Sequence, residues 1–455
     1  MARDLSDVKP EWAWSAYTPS AEQPWNRALA AHLYRRAGFG ASSSELDAAV
    51  KMQPRELVRV WINEPTETDA FRETMSDLAE ASMAGGEGKR LASWWLYRML
   101  DTPDQLAEKT ILFWHGHFAT SGAKVTEPRL MHDQNTLLRR DALGNFAAMV
   151  QGISRDPAML IYLDSVTNRK AHPNENYARE VMELFCLGEG NYTEKDVQEA
   201  SRCFTGWEIR REQFYFNKYQ QDAGSKTLLG QSGKFGGEDA VRVILEQDAC
   251  PRFIVRKLIR YFMFDEPAVP DSLVEPLAVQ FRNDNLDVGK LVQRILTSRL
   301  FFSSHCIARK VRSPVELAVG LLRALESKTD VYKLQTDLDD LGHSVFYPPN
   351  VKGWDGGRTW VNSSTLLGRA NLVRGFVESG KNRFAGDALE QLADANGAGS
   401  AAEVVAWLTG LLLAVPVPAE VSQRLVTLAD QPGNRSRRIG EVIYTMSTLP
   451  EFQLS

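Results

Sequence analysis

Apolar residues recur at helical spacing, with short breaks, along most of the chain, so the pattern predicts a mainly α-helical protein: a large multi-helix body with a small β-ribbon insertion. Glu11 to Trp25, rich in Trp and Pro, is expected to lie over the body as an extended arm. A helix over Ala28 to Ala37 should stop at Gly38-Phe39-Gly40, after which Ser42 and Glu45 have the spacing of a capping box. Ala84-Gly85-Gly86-Glu87-Gly88 marks a mobile loop. Breaks are few from Leu91 to Phe204, where Thr193 and Asp196 repeat the capping pattern before a helix through Val197, Ala200 and Phe204. The character changes at 207–239, where Phe214-Tyr215-Phe216 and Thr227-Leu228-Leu229 predict short strands. Helices resume from Ala240 to about Leu325 and again from Leu366, with a Pro/Gly/Trp-rich loop over Phe346 to Trp360 between them. This divides the chain into an N-terminal arm and helical subdomain (1–90), a central body (91–365) and a C-terminal helical region (366–455).

The segment Asn174 to Phe185 sets two Asn, three Glu and one Arg beside an apolar stripe. Wound as a helix, it puts Tyr177, Val181, Leu184 and Phe185 on one face and Asn176, Glu180 and Glu183 in a strip beside it. Asn174, after Pro173, reads as an N-cap, and Glu175 suits the positive end of the helix dipole. Glu180 and Glu183 repel each other unless a cation, a proton or an arginine lies between them, and Arg179 is the nearest partner. They are candidates for a general base or for ion ligands, or for a buried salt-bridge network.

Phe113-Trp114-His115-Gly116-His117-Phe118 carries two of the seven histidines. In an unbroken helix the two rings point about 200° apart and cannot share an ion, whereas an extended His-Gly-His turns both to one side. His117 is therefore either a hydrogen-bonded core histidine or a metal ligand, with His115 and Glu180 completing the candidate metal set and a divalent ion as the candidate cofactor. On the helix beginning near Met131, Asn135 shares the inward face with Leu138 and Ala142, as a tie to backbone or a substrate contact. Arg139 flanks it, and surface ion pairing is its simplest role. The run from Tyr347 to Trp360 is too rich in glycine for a helix and too aromatic for a solvated linker. It reads as a rigid loop in which Lys352, Trp354 and Arg358 could face a planar, sugar-like or anionic ligand.

At 44% hydrophobic and 24% charged, the composition is that of an ordinary globular protein. The net charge of −5 argues against nucleic acid or an anionic membrane as the main partner. Cys186, Cys203, Cys250 and Cys306 have neither disulfide-framework nor zinc spacing and are expected as buried free thiols. With no apolar leader after Met1 and no apolar run of spanning length, a cytoplasmic location is expected. Gly230-Gln231-Ser232-Gly233-Lys234-Phe235 departs from a phosphate loop, and no HExxH, GxSxG or GxGxxG occurs.

Five motifs in order, His32 to Gly40, Phe113 to Phe118, Asn174 to Phe185, Phe204-Thr205-Gly206-Trp207 and Pro348 to Trp354, make the chain resemble the bacterial domain of unknown function 1800 family over nearly its whole length. The resemblance implies a bacterial protein, often encoded beside a sulfatase-like companion, with some members exported, and it supplies no established reaction. This chain has Gln221-Asp222 where members commonly carry His-Asp, and with no signal visible it is expected to differ from the exported ones.

Each motif mixes Trp, Asn, Gly and charge, so the five are expected to converge on one cleft. The expected function is hydrolysis or transfer on an anionic or hydroxylated substrate. In it Glu180, Glu183 and His117 are catalytic, Asn135, Arg139, Asn176, Lys352, Trp354 and Arg358 bind substrate, and a metal ion assists. The competing expectation is a non-catalytic binding or scaffold protein that docks the sulfatase-like companion.

Overall fold

The computed structural model describes residues 4–379 and 382–455. Among them are 24 α-helices, two short 3-10 helices, one π-helix and three two-stranded antiparallel sheets, the mainly α architecture that the periodicity predicts. The buried apolar side chains form one contiguous cluster running from Leu5 to Phe452. The boundary expected near 366 falls inside the helix Ser363–Glu378.

Local signals hold where the chemistry is local. Helix Arg27–Ala37 starts on Asn26, whose side chain accepts from Leu29 N, and both expected capping boxes form, Ser42 with Glu45 and Thr193 with Asp196. The glycine-rich stretch after Ala84 separates helices Asp69–Ala84 and Gly88–Asp101. The N-terminal arm lies on the body through Trp14 Nε1 donating to Leu273 O and Trp25 Nε1 to Ala49 O, although Pro10–Ala13 is a helical turn.

The expected β-ribbon is two separate hairpins, Trp207–Arg210 with Gln213–Phe216 and Lys226–Leu228 with Gln231–Gly233. The phosphate-loop lookalike is part of the second: Leu229 and Gly230, both at positive φ, form its two-residue turn. A third pair, Ser327–Lys328 with Arg383–Phe384, was not signalled by the pattern because it is only two residues long. All four cysteines are buried and free.

The segment around Glu180 departs from the expected winding. Its α-helix is only Asn176–Glu180, and Val181–Cys186 is a π-helix. Asn174 stands one position outside the N-cap, Glu175, and its Oδ1 accepts from Asn176 N at 2.9 Å. Leu184 and Phe185 stand in the last turn of this helix, where backbone carbonyls have no partner further along it, which prepares the site described next.

Candidate functional site

The helix Gln105–His117 runs unbroken through the His-Gly-His motif, so the two imidazoles face different surroundings. His115 is buried among Trp95, Phe346 and Trp354, and its Nε2 accepts from Phe346 N at 3.0 Å. Burial holds it neutral, its pKa pushed down to about 3. His117 is 3.0 Å through Nε2 from Phe185 O, a carbonyl that can only accept, which makes Nε2 the protonated nitrogen and Nδ1 an acceptor. Nδ1 takes a hydrogen bond from Lys257 Nζ at 3.0 Å. Burial, and then the Lys257 charge, push His117 well below the ordinary histidine range.

Lys257 Nζ donates at the same time to Leu184 O at 3.1 Å. The two acceptors that fix the His117–Lys257 pair, Leu184 O and Phe185 O, are both carbonyls of the π turn. The Asn174–Phe185 motif thus serves the site with its backbone. Its acids lie further out: Glu183 accepts from the Tyr192 hydroxyl, and Arg179 pairs with Glu175 and Glu194. The Glu180 carboxyl is raised by burial and by Glu183, and is opposed by Arg179 and by Lys352.

His117 and Lys257 line a cavity of about 240 Å³ together with Arg260, Tyr261, Asp265, Lys310, Ser313, Glu316, His343, Lys352, Trp354 and Trp360. Glycines bring the walls together. Gly353, at φ +76°, lies so close to the His-Gly-His helix that a Cβ there would sit 2.1 Å from Gly116 O. This crossing seats Trp354 over His115 and His343, with its Nε1 donating to Gly342 O at 3.1 Å, and stacks His343 on Trp360. Helix Ala249–Phe262 supplies Lys257, Arg260 and Tyr261 at i, i+3 and i+4, one face of a helix.

The cavity lining carries four cations, Lys257, Arg260, Lys310 and Lys352, against three carboxylates, Asp265, Glu316 and Asp355. Lys310 pairs with Asp265 at 3.1 Å, and Glu316 is taken by Lys109 at 2.5 Å while also closing a capping box on Ser313. Burial raises the Glu316 carboxyl, but Lys109 and Lys310 outweigh it and hold the group far below the usual carboxylate range. Lys257, Arg260 and Lys352 form no ion pair among the described residues; Arg260 donates instead to the backbone carbonyl of Asp355.

Of the residues named from sequence, His117, Lys352 and Trp354 therefore line the cavity and His115 stands behind Trp354. Asn176 is exposed, and Arg358 is exposed and paired with Glu266 at 2.6 Å. Arg139 is not a surface ion pair. It grips buried Glu108 with both guanidinium nitrogens, at 2.5 and 2.9 Å, beside Arg98, and also donates to Asn135 Oδ1 at 3.1 Å. An Arg139→Met substitution should lower stability by about 2–3 kcal/mol, because it strips a partner from a buried carboxylate; chemical denaturation would read the loss, and unchanged stability would refute the structural role. His115 and His117 do not form a chelating pair with Glu180. Among the described residues no three His, Cys, Asp or Glu side chains are grouped to hold a metal ion.

The five motifs converge only in part. Phe204-Thr205-Gly206-Trp207 organises the first hairpin: Gly206, at φ +83°, donates its N–H to Asn168 O and accepts from Asn217 N, while Thr205 Oγ1 accepts from Asp222 N. Lys257, Arg260, Lys310, Glu316 and His343 were not found from sequence. The shared face of Lys257, Arg260 and Tyr261 and the capping spacing of Ser313 and Glu316 were the legible signals; nothing local marks Lys310 or His343.

Fold and site together define a mainly helical protein with a cation-rich, aromatic-walled cavity. The chain belongs to the family described as Protein of unknown function (DUF1800), whose pattern it matches over residues 32–454. Neither the curated proteins nor the solved structures give a match. No helix among the described residues is long and apolar enough to cross a membrane.

Proposed function

We propose that the cavity binds a small anionic, hydroxylated molecule and that the protein is a hydrolase or transferase acting on it. One observation carries this reading: half-buried Lys257 reaches the cavity with its ammonium held by a neutral imidazole and a backbone carbonyl, and with no carboxylate paired to it. Partial removal of a cation from water without a paired counter-charge is unfavourable, and an anionic ligand is the natural compensation. Trp354, Trp360 and Tyr261 offer flat apolar faces for the body of the ligand, and Lys352 and Arg260 add charge at the same cavity.

Burial brings Lys257 down to about 8, so the group gives up or takes a proton near neutrality. It is the proton-transfer group of this reading, and His117 positions it. Lys352 links Glu180 electrostatically to the cavity.

The test is calorimetric titration with phosphate, sulfate and simple carboxylates. Binding is expected in the wild type, at least tenfold weaker in Lys257→Met, and weakening as pH rises through about 8 while the ammonium is lost. Absence of binding by every anion, or equal affinity in the variant, would refute the reading. Stability should move the opposite way: the folded state holds fewer protons than the unfolded chain between about 8 and the ordinary lysine value of 10.5, so Lys257 adds stability as pH rises through that window.

A further inference from the structure

A second imbalance of charge lies beside the same helix, Pro314–Ala324. Helix Arg27–Ala37 places Arg35 inside the protein, 7% exposed, and helix Pro314–Ala324 follows directly on Arg312, 5% exposed. The two helices are brought together by a glycine crossing at Gly40 and Gly320, where a Cβ on Gly320 would lie 2.4 Å from Phe39 O. Between them is a cavity of about 10 Å³ lined by Arg35, Arg312, Phe39, Gly40, Gly320 and Leu411 among others. That is room for one water-sized occupant and too little for a phosphate or a carboxylate.

Arg312 is satisfied by backbone, donating from Nε to Leu454 O at 3.0 Å and from Nη2 to Leu412 O at 2.9 Å. Arg35 is not. Its Nε and Nη1 are buried with no hydrogen-bond partner among the described residues. The charges that face it are Arg312 and Arg36, both positive. Arg36 also leaves Nε and Nη1 without a partner among the described residues, but it donates from Nη2 to Cys306 O at 2.8 Å and faces Asp265 and Glu316. A guanidinium does not shed its proton in a protein, so Arg35 must be compensated by something other than neutralisation. Water would satisfy the donors but not the charge.

We propose that this cavity holds a single halide ion, chloride under ordinary conditions, seated on the buried guanidinium of Arg35 with Arg312 as the second cation of the site. The ion completes the packing of the Arg27–Ala37 helix against the Pro314–Ala324 helix and is distinct from any ligand of the larger cavity. Two measurements test it. Crystals of the full chain soaked in sodium bromide should show an anomalous peak within hydrogen-bond reach of the Arg35 guanidinium; a water there, or nothing, overturns the site. In solution, replacing gluconate by chloride at constant ionic strength should raise the melting temperature of the wild type by roughly 2–3 °C and leave Arg35→Met unmoved. An equal chloride response in wild type and variant also overturns it. If Arg35→Met does not fold, the bromide experiment on the wild type decides alone.

Discussion

Replacing Glu316 by Gln should cost about 3–5 kcal/mol of folding stability, among the largest effects of any single isosteric change in this chain. The carboxylate is 6% exposed and sits among more cations than its own charge can balance: it pairs with Lys109, itself 1% exposed, and its field reaches Lys310, Arg36, Arg312 and Arg369. The amide keeps the shape but removes the charge, which leaves Lys109 desolvated and uncompensated. Lys109 is already brought down to about 8 by burial despite the Glu316 carboxylate, and without that carboxylate it should fall further. The pH dependence has a definite sign. Because the folded-state pKa of Glu316 is depressed, its contribution is present above the unfolded carboxylate range and is lost as pH falls toward the folded value, so wild type and variant should converge in acid. Denaturant melts at neutral and low pH read both effects; a variant as stable as wild type at neutral pH would contradict them.

Gly353→Ala should be nearly as damaging, and for a reason of backbone geometry. A Cβ there would stand 2.1 Å from Gly116 O and 3.0 Å from Gly116 C, both backbone atoms of a helix that cannot swing aside, and φ is +76°. Left-handed strain and the clash together should cost roughly 3 kcal/mol or lift the loop off the helix, unseating Trp354 and opening the anion cavity. The partner glycine is the control. A Cβ on Gly116 would meet only Trp354 Cε3, at 3.7 Å, an ordinary contact, and alanine favours a helix, so Gly116→Ala should fold at least as well as wild type. Denaturant midpoints and anion titrations of the two variants separate them; equal tolerance would show that the crossing does not hold the cavity wall.

The proposed anion cavity and the proposed halide site share one cause. In both, more buried cations than acids are packed around the Pro314–Ala324 helix, and Glu316 and Asp265 cannot neutralise them all. The His117–Lys257 pair is the part of that excess that opens onto space large enough for an organic molecule, and Arg35 is the part that opens onto space for one atom.

How much of this could be read from the chain alone follows the range of the interactions. Helix positions, the Ser42–Glu45 and Thr193–Asp196 caps and the strand segments near 207–233 depend on residues within a turn or two of one another, and they were legible. The opposed directions of His115 and His117 followed from helical geometry once the helix was continuous, and that continuity is a matter of packing. Glu180 and Glu183 drew attention because they are charged beside an apolar stripe. What the segment contributes is two carbonyls of its last turn, whose partners lie far away in the sequence. Lys257 looked like any lysine on an amphipathic helix until His117, 140 residues away, accepted its proton-bearing nitrogen.

The sequence by itself determined the helical class, the caps and turns, and the segments in which polar groups stand beside the core, because these follow from period and from neighbours along the chain. Tertiary structure alone decided which charges are compensated, since a lysine or arginine is unpaired only with respect to everything that folds around it. That long-range balance turned Lys257 and Arg35, rather than the conspicuous acids, into the groups with binding capacity to spare.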